Sequence, residues 1–110
     1  MEKSSATAHP TASNGAVLIA SERQRQIEKE GWSVAHDDGH SNQEMVLAAI
    51  AYASVDLAHK GFLRDRLGLS LWPWETRWWK PSRDHIRNLV KAGALIAAEI
   101  DRLERQGEDS

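Results

Sequence analysis

Hydrophobic positions along the chain fall into three helical patterns separated by polar or irregular stretches, and no segment shows the alternation of a strand. The last pattern is the longest. Ile86, Leu89, Val90, Gly93, Ile96, Ala97, Ile100 and Leu103 recur three and four apart, which predicts an amphipathic helix starting after Pro81 with Ser82 as N-cap and running to about Arg105. Glycine within that stripe costs about 1 kcal/mol relative to alanine, so Gly93 marks a close helix crossing. Arg87 and Lys91 lie one turn apart beside the stripe, and Arg102 and Arg105 suit the negative end of the helix dipole.

Residues 45–57 are apolar almost all round and rich in alanine, as expected of a helix inside a bundle or in an oligomer interface. Ser41-Asn42-Gln43-Glu44 ahead of them reads as a capping box, and Gly61 as the stop. Asp56, near the unfavourable end of the dipole, is either exposed or paired. The first pattern opens with Asn14 as N-cap and closes at Gly31. Its apolar positions Val17, Leu18 and Ile27 are sparse, so this helix is wet or faces a polar site. Glu22 and Gln26 share one face, and Glu22, Arg25 and Lys29 a neighbouring one. Between the second and third patterns, residues 62–71 predict a short helical turn broken at Gly68. Residues 71–81 then place four of the five tryptophans within eight positions, and Pro73 and Pro81 rule out a long regular element there. Such a segment plugs the end of a bundle, or offers a π-face against which a nucleobase stacks.

These elements predict an all-α fold, a small bundle of three main helices with an irregular Trp/Pro-rich insertion. One domain over residues 15–105 lies between disordered tails at 1–14 and 106–110. About 90 core-forming residues is a small number, so a homo-oligomer is expected.

Composition narrows the function classes. The net charge of -2 gives no basic footprint for nucleic acid, and the absence of cysteine removes disulfide, thiolate-zinc and cysteine-nucleophile chemistry. Apolar runs are too short to span a membrane, and the first residues lack the pattern of a signal peptide. The expected location is the cytoplasm.

Candidate chemistry concentrates in His36-Asp37-Asp38-Gly39-His40, two imidazoles and two carboxylates ahead of a helix. Hard cations such as Mg²⁺ take carboxylates and water, which makes Asp37 and Asp38, with Glu22, the candidate metal ligands. The plainer reading is turn and cap chemistry. Arg77, Lys80, Arg83, Arg87 and Lys91 supply candidate phosphate contacts. Acidic and basic sets together would make a nucleotide site, with Trp32 or Trp78 on the base and His36 near the sugar. They would equally pair with each other across the bundle.

Three blocks, E-R-Q-R-Q-I-E-K-E-G-W-S-V-A-H-D-D-G-H (residues 22–40), W-P-W-E-T-R-W-W-K-P (72–81) and R-N-L-V-K-A-G-A-L-I-A-A-E-I-D-R-L-E-R (87–105), resemble a family of small phage and prophage proteins. That resemblance implies a phage accessory protein in the host cytoplasm, a setting of nucleotide metabolism and counter-defence. A remoter similarity is to MazG-type all-α nucleoside triphosphate pyrophosphohydrolases, helical oligomers whose E-x-x-E and E-x-x-D motifs hold Mg²⁺. Here Glu99 is followed by Ile100 and Asp101, and the first helix offers Glu22, Gln26 and Glu30, so both motifs are departed from. The resemblances imply a nucleotide-binding protein, with Mg²⁺-dependent hydrolysis as its catalytic form. The alternative is a noncatalytic counter-defence protein that sequesters a nucleotide signal or blocks a host protein.

Overall fold

The computed structural model describes residues 12–30 and 43–109, and every described element is helical. Helix α1 spans Asn14–Lys29. Ser13, one residue earlier than the sequence suggests, caps it by accepting the Ala16 N–H at 3.2 Å. Its buried residues are Glu22 and Gln26, so α1 does turn a polar face inward.

Helix α2 covers Glu44–Ala53 and begins behind Gln43, whose φ of 71° is left-handed. The Gln43 side chain makes no capping hydrogen bond, and Glu44 stands in the first turn. Ser41 and Asn42, the rest of the expected capping box, lie outside the described residues. The long apolar helix expected over residues 45–57 is interrupted at Ser54, whose hydroxyl donates back to the Ala51 carbonyl at 2.8 Å. Helix α3, Val55–His59, continues beyond it. Gly61, at φ 82°, ends the run as expected, with the Phe62 N–H donating to the Leu57 carbonyl at 2.9 Å. Asp56 is the paired case: it meets Lys60 at 3.0 Å and His85 at 3.4 Å.

Helix α4, Leu67–Leu71, contains Gly68 rather than breaking there. A β-carbon at Gly68 would lie 2.8 Å from the Ala51 carbonyl oxygen and 2.9 Å from the Trp79 ring, so the glycine permits α4 to close on α2. A single 3₁₀ turn, Thr76–Trp78, follows within the tryptophan segment. Helix α5 runs His85–Asp109, through most of the stretch assigned to a C-terminal tail. Asp84 caps it, accepting from the Ile86 N–H at 3.0 Å. Buried Asn88 ties the approach by accepting from the Ser82 N–H at 2.7 Å and donating to the Ser82 carbonyl at 2.9 Å.

The core forms where α2 lies on α5. Ala48, Ala49 and Tyr52 pack against Ala92 and Leu95, and Trp72, Trp74 and Trp79 close over this cluster. Alanine on both sides brings the backbones close. Helix α1 also packs on α5, and the close crossing expected at Gly93 is there: a β-carbon would meet Ile19 Cδ1 at 2.5 Å.

The direction of the α5 stripe corrects the simplest picture of a bundle helix. Asn88, Ala92, Ala94, Leu95, Ala98, Glu99 and Arg102 face inward, whereas Ile86, Leu89, Ile96, Ile100 and Leu103 remain 46% to 61% exposed. Glu99 is buried because Arg102 donates to both its carboxylate oxygens, at 2.8 and 2.9 Å. No described helix is long and apolar enough to cross a membrane.

Candidate functional site

Glu22 projects from the middle of α1 toward α5 and is 3% exposed. A lone carboxylate there would be costly, so its partners decide the local structure. Arg25, one turn on, donates to both oxygens at 2.9 Å through Nε and Nη2. Arg87 reaches across from α5 to donate at 2.6 Å, and Gln26 Nε2 adds a contact at 3.3 Å. Arg25 also pairs with Glu30. Burial pushes the Glu22 carboxyl up, but the hydrogen bonds and charges of Arg25 and Arg87 outweigh it and hold the pKa below the ordinary value. Gln26 Oε1 is buried without a partner, an unmet acceptor that costs about 1–3 kcal/mol.

Beside this hub opens a groove of about 1080 Å³, walled by α1, Tyr52 of α2, the tryptophan segment and α5. Five cationic side chains, Arg25, Lys29, Lys80, Arg87 and Lys91, line it against three carboxylates, Glu22, Glu30 and Glu75. Lys91 donates to the Lys80 carbonyl at 2.8 Å and lies 5.1 Å from the centre of the Tyr52 ring. Its desolvation, together with the nearby Arg87 charge, lowers its pKa. The Tyr52 hydroxyl accepts from the Lys80 N–H at 3.4 Å, and burial raises its pKa. These contacts fix the backbone at Lys80, the rim of the groove.

The tryptophans divide into two roles. Trp72, Trp74 and Trp79 form a cluster with Tyr52 at centroid distances of 4.9 to 5.4 Å, the aromatic plug read from the sequence. Trp72 Nε1 donates to the Glu75 carbonyl at 3.1 Å, which bends the segment back on itself. Trp78 is different. It is 52% exposed on the groove, with Arg77 Cζ and Lys80 Nζ lying 5.0 and 5.7 Å from its ring centre.

Of the sequence-derived candidates, the fold thus brings Glu22, Arg87, Lys91 and Trp78 to one groove. Trp32, His36, Asp37 and Asp38 lie outside the described residues. Among the described residues no three metal-ligating side chains converge. Glu22 is the acceptor for two guanidinium groups, which an Mg²⁺ ion would have to displace, so the described residues do not fit a magnesium centre. Tyr52, Gln26 and Lys29 were not singled out as ligand-facing by the sequence. A single tyrosine in an alanine-rich helix was the available signal for the first. Compared with protein families, curated proteins and solved structures, the chain finds no match in any of the three.

Proposed function

We propose that the groove binds a phosphorylated nucleotide, with the base against Trp78 and the phosphates toward Arg87 and Lys91, and that it does so without turnover. The observation that carries this reading is the excess of cations over carboxylates beside a half-exposed tryptophan. Arg87 has five N–H donors and Lys91 three, so both retain donors beyond their bonds to Glu22 and Lys80. Gln26 Oε1 offers an acceptor to a base N–H or to a water that comes with the ligand. Glu22 works as a strut for Arg25 and Arg87, which favours holding a ligand over hydrolysing it. In the phage setting that the sequence resembles, such a protein would sequester a nucleotide signal.

Isothermal titration against a panel of nucleoside mono-, di- and triphosphates and cyclic nucleotides tests this. Trp78→Ala is expected to weaken binding by about 1–3 kcal/mol, the worth of one stacked base, while leaving the helical spectrum intact. Arg87→Gln should weaken it further. Lack of binding across the panel would remove the reading. Appearance of monophosphate and pyrophosphate with Mg²⁺ would replace sequestration with catalysis.

A further inference from the structure

The charges that line the groove do not cancel, and the remainder is all of one kind. Glu22 faces Arg25 and Arg87, Glu30 pairs with Arg25, and Glu75 meets Arg77 at 3.1 Å. Each carboxylate of the groove is thus engaged by guanidinium. Lys29, Lys80 and Lys91 also line it, and none of these ammonium groups meets a carboxylate among the described residues. Lys91 gives one of its three donors to the neutral Lys80 carbonyl, and the Lys80 ammonium lies beside the Trp78 ring, 5.7 Å from its centre. Burial and the Arg87 charge hold the Lys91 pKa down, the mark of an ammonium short of a counterion.

The three lysines come from α1, the tryptophan segment and α5, so only the fold sets them around one space. Lys80 is pinned on both sides of its peptide unit, by the Tyr52 hydroxyl and by Lys91. A base on Trp78, two residues away, would start its phosphate chain among these ammonium groups. A nucleoside diphosphate carries about three negative charges at neutral pH, a monophosphate about two and a cyclic monophosphate about one. The diphosphate therefore matches the surplus, and about 1080 Å³ leaves room for a chain of phosphates beside the base.

We infer that the groove selects a run of two or more phosphates in its magnesium-free form, with Lys29, Lys80 and Lys91 neutralising the charge that Mg²⁺ neutralises in solution. This rests on the nucleotide reading above and adds to it the phosphorylation state that is bound. A magnesium complex of the same chain carries about two fewer negative charges and would bring a cation toward three others. Magnesium is then an antagonist of binding.

Titration calorimetry in buffer containing EDTA compares the mono-, di-, tri- and cyclic phosphates of adenosine and guanosine, with inorganic tripolyphosphate as the chain without a base. The diphosphate should bind about tenfold tighter than the monophosphate, the worth of one further charge-assisted contact. Excess Mg²⁺ at matched ionic strength should weaken the di- and triphosphates severalfold and leave the monophosphate unchanged. Lys29→Gln and Lys80→Gln, both at exposed positions, should each narrow the gap between di- and monophosphate. Mono- or cyclic phosphates that bind as tightly as diphosphates would overturn the inference while sparing the nucleotide reading. So would binding that Mg²⁺ strengthens or leaves unchanged. Tripolyphosphate that binds as tightly as the triphosphates, and is antagonised by Mg²⁺, would keep the lysine site and remove the base from Trp78. Silence from every probe would remove both.

Discussion

At Glu22 two opposing effects meet: desolvation favours the neutral acid, and two guanidinium groups favour the carboxylate. The second wins, so the folded pKa is below the unfolded one. A depressed carboxyl pKa contributes stability that is present above the unfolded value, about 4.3, and is lost as pH falls from there through the folded value. Urea melts over a pH series should therefore show stability declining below about 4.3 in the wild type, and a flatter profile in Glu22→Gln. At neutral pH that variant should lose about 1–2 kcal/mol. The loss is bounded because the side chains of Arg25 and Arg87 are 39% and 35% exposed and regain water when released. Equal slopes in the two proteins would mean that the hub is electrostatically idle.

Two helix contacts in this fold depend on glycine, and they should respond differently to the same substitution. At Gly68 an added methyl meets a backbone carbonyl and a packed indole, neither of which can rotate away, so Gly68→Ala should cost about 1–3 kcal/mol by overpacking. At Gly93 it meets the Ile19 side chain, which can change rotamer, and the gain in helix propensity of about 1 kcal/mol offsets the strain. Thermal melts of the two variants should rank Gly68→Ala as clearly the less stable. The Gly93 contact was legible in the sequence because a glycine stood on an apolar stripe. The Gly68 contact was not, because its neighbours Ala51 and Trp79 are brought to it by the fold. The same distinction governs the helices. Three amphipathic patterns and the polar face of α1 could be read from spacing. The outward direction of most of the α5 stripe could not, since the inner face is built largely of small alanines and includes Glu99 and Arg102, whose pairing hides their charge from any hydropathy pattern. The break at Ser54 was equally invisible, being a single hydroxyl bond within an apolar run.

On the scale of the whole molecule, the groove is a meeting place of α1, α2, α5 and the tryptophan segment, so a ligand in it would contact all four. Ligand at a hundred times its dissociation constant adds about 2.7 kcal/mol to the folded state, which for a chain of this size raises the melting temperature on the order of 10 °C. A nucleotide that binds should produce that shift in differential scanning fluorimetry, growing with the logarithm of its concentration; a flat response to every nucleotide would count against the groove as its site. The site residues Glu22, Arg87, Lys91 and Trp78 were legible as chemistry, but their convergence required the fold, because 65 positions separate Arg87 from Glu22. The division of the tryptophans has an optical consequence. Trp72, Trp74 and Trp79 are held at fixed angles and near-contact distances, the condition for coupled transitions and a strong near-ultraviolet dichroic signal. Trp78 stands apart in a wetter setting and should emit at longer wavelength, receiving excitation energy from the cluster. Among the described residues, the cluster therefore reports whether the segment is folded, and Trp78 whether the groove is filled.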